Sequence, residues 1–231
     1  MRLRLRTLAA GTAIGLLTLT GASGCVFLPG TADSPDVSPE GQVHFACALV
    51  AHVSEERGDV GGWVSFVGED ADPGASELAA AASLVGAVGG YTLPDYPELS
   101  ESGVVVIQGI MTIDGAAIED GLNQMISACE GVDTDGQADV SQGGQGAYAC
   151  ALAEYVMEEH GEPHTWGSIG QEPAWHMVGS VGALFGGANG YVLPGYESQA
   201  ESGLNLVTAV GRLDSGTIVA ELGSVVAECD D

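Results

Sequence analysis

Histidines and carboxylates cluster in one stretch of the chain, where they are candidate metal ligands. The cluster comprises Glu158, Glu159, His160, Glu162 and His164, with His176 farther along. Imidazole nitrogens and carboxylate oxygens suit zinc or copper. However, Gly161 and Pro163 interrupt the helical spacing that would bring these side chains to one face. We therefore favour solvated loop histidines as the interpretation, and whether a metal binds stays open at this point.

The acidic segment 133–139 resembles part of a calcium-binding loop, because it reads Asp-Thr-Asp-Gly-Gln-Ala-Asp. An EF-hand loop places glycine at its sixth position and glutamate at its twelfth. Here Gly136 is fourth and Gly144 is twelfth. The segment is better interpreted as an acidic linker between domains.

The chain carries none of the compact catalytic motifs. It lacks the nucleophile elbow Gly-x-Ser-x-Gly, the phosphate-binding loop, the dinucleotide glycine pattern and His-Glu-x-x-His. An enzyme whose site is scattered along the sequence remains an alternative, because active-site residues need not be adjacent. No cofactor is predicted.

Four cysteines enclose two similar stretches of sequence, Cys47 to Cys129 and Cys150 to Cys229. Each stretch contains Ala-Cys-Ala-Leu, Glu-Glu, a tryptophan, two tyrosines on either side of Leu-Pro, and Glu-Ser-Gly. Equivalent residues are 103 positions apart up to the tryptophans and 100 apart from the tyrosines onward. Such self-similarity indicates a tandem duplication.

The duplication predicts the disulfide pairing. Four cysteines allow three connectivities, and the sequence alone does not choose among them. If each copy closes on itself, the disulfides are Cys47–Cys129 and Cys150–Cys229. No Cys-x-x-Cys occurs, so neither a thioredoxin-type redox site nor a zinc ribbon is indicated.

The N-terminus has the features of an export signal. Arg2, Arg4 and Arg6 precede an apolar stretch, residues 8–19, that is too short for an ordinary membrane span. Ala22-Ser23-Gly24-Cys25 then resembles the lipobox of bacterial lipoproteins, although that class most often has leucine where Ala22 stands. The resemblance implies cleavage before Cys25, acylation of its thiol, and anchoring to the outer face of the cell membrane. An ordinary secretory signal is the alternative.

The charge of the chain is strongly one-sided. There is no lysine, and beyond residue 24 only Arg57 and Arg212 face 32 acidic residues, a net charge of −30. Such a body repels nucleic acid, so no nucleic-acid partner is predicted. It suits a basic protein partner or divalent cations, although solubility alone is the simpler interpretation.

Hydrophobic periodicity predicts helices in both copies. Ala46, Leu49, Val50 and Val53 fall on one helical face. Segments 74–90 and 174–190 are apolar all round, as buried helices are. The expected N-caps of the second, third and fourth helices are Asp72, Glu172, Ser102, Ser202, Asp114 and Asp214. The β-branched runs within 104–111 and 204–211 are compatible with either helix or strand.

The predicted fold is therefore all-α: a tandem duplication of two small disulfide-stapled helical bundles of about four helices each. The predicted boundaries are a lipoprotein signal peptide at 1–24, a flexible tether at 25–41, repeat 1 at 42–130, a linker at 131–146 and repeat 2 at 147–231.

Residues present in both copies are the best candidates for a shared site. They include Trp63 and Trp166, and the acidic pairs Glu55-Glu56 and Glu158-Glu159. We expect the tryptophans to be mostly buried and the acids exposed, so that the binding surface is acidic rather than aromatic. The sequence thus favours a lipid-anchored extracytoplasmic binding or interaction protein; the alternative is an envelope-associated hydrolase or metal-dependent enzyme.

Overall fold

The described part of the chain is all-helical, and it contains no strand. The computed structural model describes residues 34–63, 71–132, 134 and 138–229. The predicted signal peptide, Cys25 and most of the tether lie outside these residues, as does most of the segment that resembles a calcium loop. The two stretches that the sequence left open between helix and strand, 104–111 and 204–211, lie in α-helices.

Within the described residues eight α-helices follow one another, with a short 3₁₀ turn after the first and another after the fifth. They are α1 (Pro39–Glu56), α2 (Pro73–Leu84), α3 (Pro97–Thr112), α4 (Gly115–Ala128), α5 (Gln142–Glu159), α6 (Ala174–Leu184), α7 (Glu197–Arg212) and α8 (Ser215–Cys229). The 3₁₀ turns are Val60–Gly62 and Pro163–Thr165. Among the described helices, none is both long and apolar enough to cross a membrane.

Side-chain caps explain where several helices begin. The Ser38 hydroxyl accepts a hydrogen bond from the Gly41 N–H, and the Ser141 hydroxyl does the same for Gly144, each at 3.2 Å. Helices α1 and α5 therefore start inside the segments predicted as tether and linker. Asp114 caps α4 as expected, with its carboxylate accepting from two backbone N–H groups.

Three predicted caps are wrong. Ser102 and Ser202 lie inside α3 and α7, because each helix begins a turn and a half earlier, directly after a tyrosine. The Ser102 hydroxyl donates to the Leu99 carbonyl instead. Glu172 does not cap α6, since its carboxylate bonds the His160 ring. Asp72 does cap α2, accepting from the Gly74 N–H at 2.9 Å.

Helices α2 and α6 form the centre of the fold. Every residue from 74 to 84 and from 174 to 184 is buried, including the polar Glu77 and His176. Both helices end earlier than predicted. Gly86 and Gly186 adopt a positive φ there, and a Cβ on either would overlap the carbonyl oxygen of Tyr91 or Tyr191.

The remaining helices pack around this centre. In the first half α1 contacts α2 and α4, and α3 contacts α2 and α4; in the second half α5 contacts α6 and α8, and α7 contacts α6 and α8. Disulfides Cys47–Cys129 and Cys150–Cys229 join the first helix of each half to the end of the last, with Cα–Cα distances of 5.6 and 5.9 Å. The predicted pairing is present.

The two halves are not separated by a solvent layer. Helix α2 packs directly against α6, and one hydrophobic cluster runs through both halves. The rings of Phe45 and Tyr148, which hold equivalent places in α1 and α5, stack with their centroids 3.9 Å apart. Both halves belong to one compact unit that extends from Asp33 to Asp231.

Candidate functional site

The acidic pairs lie at the C-terminal ends of the first helix of each half. Glu55 and Glu56 form the last turn of α1, Glu158 and Glu159 the last turn of α5, and all four are exposed. Neither last turn contains a basic residue. A helix C-terminus carries partial negative charge, so carboxylates there oppose the helix dipole by roughly 0.3–1 kcal/mol each at low ionic strength. Folding alone would favour the opposite charge at these positions.

The tryptophans close the same helix ends. The indole N–H of Trp63 donates to the Arg57 carbonyl at 3.4 Å, and that of Trp166 donates to the His160 carbonyl at 3.0 Å. Arg57 and His160 are the residues that follow the acidic pairs. Each indole therefore satisfies a carbonyl that the helix leaves without an internal partner.

The tryptophan rings pack against the protein interior and do not form an exposed aromatic surface. Trp63 is 6% exposed, and Trp166 is half-buried, edge-on to Trp175 with ring centroids 5.2 Å apart. The acids beside them face solvent. The geometry of the helix ends therefore matches an acidic surface with an aromatic support beneath it.

A buried ion pair lies under the first helix end. The Arg57 guanidinium donates two hydrogen bonds to the Glu77 carboxylate, at 2.6 and 2.9 Å. Gln145, on α5, donates a third at 3.2 Å, and His52 lies 3.7 Å away. The hydrogen bond to Glu77 raises the pKa of Arg57 above its ordinary value. This cluster ties α1, α2 and α5 together, and its carboxylate is already occupied.

The candidate metal ligands do not converge. His160 Nδ1 lies 3.0 Å from Glu172 Oε1, whereas His164 pairs with Glu162 at the surface, at 3.1 Å. His176 is buried in α6 and bonds Gln42. Among the described residues, no group of three or more histidines, cysteines or carboxylates is placed to hold a metal ion.

His176, in α6, has a deeply buried ionisable ring. It is 1% exposed, its Nε2 lies 3.1 Å from Gln42 Oε1, and it stacks on Tyr91 at a centroid distance of 5.0 Å. Because the Gln42 amide nitrogen donates to Val37, its oxygen faces the ring, and His176 Nε2 must carry the proton. Its Nδ1 is buried without a hydrogen-bond partner. The ring is therefore held neutral.

Burial of His176 makes the fold sensitive to acid. Burial, with a smaller effect of nearby His160, lowers the His176 pKa from 6.5 to about 3. Below pH 6.5 the unfolded chain binds a proton that the folded chain does not, so stability falls as the pH falls toward 3. This group alone should remove about 1.4 kcal/mol per pH unit in that window. We expect denaturant unfolding between pH 6 and pH 4 to show a steeper loss for the unmodified protein than for His176→Ser.

Serine is a suitable replacement at position 176, because the equivalent residue of the first half is the buried Ser76. The matched control is His164→Gln, which removes a histidine from the surface and leaves the core intact, since His164 is 64% exposed. Parallel profiles for the unmodified protein and His176→Ser would contradict the prediction.

Sequence reasoning missed Glu77, Gln42 and Gln145, which bridge the halves. One signal was available for the first: Glu77 is the one charged residue in an otherwise uncharged helix, and a buried charge needs a partner. The two glutamines stand 103 residues apart, at equivalent places. Gln42 meets α6 and Gln145 meets α2, so each crosses to the other half.

No family model, no curated protein and no solved structure matches the chain.

Proposed function

We propose that this protein is exported, anchored to the outer face of the cell membrane by a lipid on Cys25, and binds a basic protein partner through exposed carboxylates. The single observation that carries the binding part is the placement of Glu55-Glu56 and Glu158-Glu159. These exposed acids oppose the dipoles of their helices in both halves. A stability disadvantage that occurs twice is expected where function requires the charge.

The cysteines support export and lipidation. Disulfides persist in oxidising compartments outside the cytoplasm, and the structure places two of them in this chain. All four cysteines beyond residue 25 are thereby used, which leaves Cys25 as the odd one, directly after the small residues of the lipobox-like segment. An unpaired cysteine in an exported protein needs a role, and acylation supplies it.

Lipidation predicts a definite mature N-terminus. Mass spectrometry of the protein purified from membranes should find Cys25 as the first residue, with the mass of its acyl groups. Cys25→Ser should release the protein from the membrane fraction. An unacylated N-terminus at another residue, or membrane retention of Cys25→Ser, would contradict the anchor.

We also infer that the two halves are repeats of one helical unit. Their helices have similar lengths in the same order, 18, 12, 16 and 14 residues against 18, 11, 16 and 15. Phe45 and Tyr148, at equivalent places, stack on each other, as expected near a pseudo-two-fold axis. Two acidic helix ends on one body would raise the effective concentration for a partner with two basic segments.

The binding proposal predicts salt-sensitive binding of a basic peptide at the helix ends. Hexalysine binding, measured by calorimetry at 20 and 150 mM salt, should weaken as salt rises. Replacing the four carboxylates Glu55, Glu56, Glu158 and Glu159 by glutamine should weaken it at least fivefold at low salt. The same variant should unfold at a higher temperature, because the repulsion from the helix dipoles is removed.

The matched control removes four other exposed carboxylates, by glutamine at Glu98, Glu101, Glu119 and Glu201. It removes the same amount of negative charge but leaves the helix ends intact, so hexalysine should bind within about twofold of the unmodified protein. An equal loss in both variants would show that only net charge matters and would contradict a site at the helix ends.

A further inference from the structure

At the other end of α1, the first half contains an open cleft of about 460 Å³. This volume lies within the range of about 300–1,000 Å³ that is usual for ligand pockets. Its walls include Pro39 and Glu40 from the start of α1, and Leu93, Pro94, Asp95 and Tyr96 from the turn before α3. Glu40 and Asp95 are exposed, and the Tyr96 ring is half-buried.

The corresponding region of the second half is filled by a tyrosine. Tyr196 lies directly over Gly146, where an added Cβ would overlap its ring. Its hydroxyl donates to the Gly143 carbonyl at 3.2 Å, and its ring packs against Phe185. Tyr196 therefore closes the gap between the start of α5 and the turn before α7, where α5 has a glycine beneath the ring.

The first half has different residues at the positions that permit this closure. Val43 stands where Gly146 stands in the second half, and it is fully buried. The second half thus has a glycine at this position, and the first half has a branched side chain. The two halves therefore differ in sequence at the place where Tyr196 packs onto its helix.

The same comparison places charge at the cleft. Glu40 and Asp95 stand where the second half has Gly143 and Gly195. The open copy therefore carries two carboxylates that the closed copy lacks. The cleft combines an apolar wall, an aromatic ring and negative charge, and none of the residues lining it is basic.

We propose that this cleft binds an arginine side chain of a basic peptide. The aliphatic stem packs on Leu93 and Pro94, and the guanidinium lies against the Tyr96 ring while Glu40 and Asp95 accept its hydrogen bonds. A planar guanidinium suits this combination better than an ammonium group, because it stacks on a ring and bonds carboxylates at its edge. The proposal shares with the proposed function the expectation of a basic partner, but it concerns different residues at the opposite end of α1.

The test uses the short peptide acetyl-Gly-Arg-Gly-amide and the chain from residue 25 onward carrying Cys25→Ser. In ¹⁵N-edited NMR titrations, the backbone amides of Leu93, Asp95 and Tyr96 should shift with millimolar peptide. The same peptide with citrulline in place of arginine keeps the shape but not the charge, and should bind at least tenfold more weakly. Glu40→Gln with Asp95→Gly should weaken arginine-peptide binding at least tenfold, because glycine is the residue of the closed copy at position 195.

The control variant, Glu119→Gln with Glu201→Gln, removes the same charge from exposed positions outside both the cleft and the acidic helix ends, and it should bind this peptide within threefold of the unmodified protein. Equal weakening in both variants, equal binding of the citrulline peptide, or no shift at the cleft would overturn the proposal. These outcomes would not contradict the proposal that hexalysine binds at the helix ends. Conversely, if hexalysine did not bind while the cleft amides still shifted with the arginine peptide, the acidic helix ends would be excluded as a binding surface and the cleft proposal would stand.

Discussion

Removal of the Cys47–Cys129 disulfide, by Cys47→Ala with Cys129→Ala, should lower the free energy of unfolding by about 4.5 kcal/mol. The bond closes a loop with a sequence separation of 82 residues. In the chain-entropy description, opening a loop of this length restores that much conformational freedom to the unfolded chain. Since small proteins are stable by about 5–15 kcal/mol in total, this is a large share. Urea unfolding monitored by circular dichroism measures it.

The second disulfide provides an internal comparison. Cys150–Cys229 has a separation of 79 residues, so loop entropy predicts nearly the same effect for Cys150→Ala with Cys229→Ala. Because α2 packs against α6 and the halves share a core, each variant should still unfold in a single transition. Reductant should destabilise the unmodified protein by breaking both disulfides. In each double variant it should lower the stability only by breaking the one disulfide that remains. A loss below about 1 kcal/mol in either double variant would contradict the entropic role.

Arg57→Leu should destabilise the protein by about 3 kcal/mol. The substitution leaves the Glu77 carboxylate, which is 3% exposed, without the cation that donates two hydrogen bonds to it. Breaking a buried ion pair from one side removes about 3–5 kcal/mol, because the remaining charge stays desolvated. Arg57 is 27% exposed, so water reaches the site in part and the lower end of that range applies. Chemical denaturation at pH 7 measures the change.

The second half supplies the compensating variant. Met177 stands where the first half has Glu77, so Arg57→Leu with Glu77→Met replaces the pair by apolar side chains already compatible with this helix. We expect the double variant to return to within about 1 kcal/mol of the unmodified protein, since a buried pair can be replaced by packed apolar groups at little net change. Gln145 keeps its hydrogen bond to Val140 in that variant.

The matched control for Arg57 is Arg212→Leu. Arg212 is the other arginine beyond residue 24, and it is exposed in the last turn of α7. Its positive charge interacts favourably with the dipole of α7, so Arg212→Leu should lower the free energy of unfolding by only a few tenths of a kcal/mol. If the double variant at positions 57 and 77 proves as unstable as Arg57→Leu alone, the interaction between the two charges is not the cause.

Local sequence predicted several of the helices, and the repetition predicted their covalent links. The spacing of Ala46, Leu49 and Val53 predicted α1, because helix periodicity is a property of neighbouring residues. Asp72 and Asp114 predicted helix starts for the same reason, since a cap bonds N–H groups two or three positions away. The repeated sequence predicted both disulfides.

Local patterns failed where a side chain had two uses. Glu172 and Ser102 have the chemistry of caps, but Glu172 bonds His160 and Ser102 lies within α3. The partner of Glu172 lies 12 residues away, and a local pattern does not record which loop packs nearby. Ser102 instead bonds the Leu99 carbonyl within its own helix, because α3 begins earlier, at Pro97.

The tryptophans show both what the sequence predicted and what only the structure decided. Their recurrence marked them as candidates, yet only the structure showed that Trp63 and Trp166 each donate to a carbonyl at a helix end. The exposed acids beside them were expected because glutamate is strongly hydrated. The indole bonds depend on loops whose path the sequence does not specify.

The sequence by itself predicted an all-α fold with two equivalent disulfides, although it left 104–111 and 204–211 open between helix and strand. These predictions were possible because periodicity, caps and repetition are encoded by residues near one another or by direct self-comparison. Only the tertiary structure decided that α2 and α6 pack together, that Gln145 reaches Glu77, and that Gln42 reaches His176. These last two contacts span 68 and 134 residues. The physical reason is that a buried polar group takes whichever partner the packed helices bring near, and sequence distance does not record that packing.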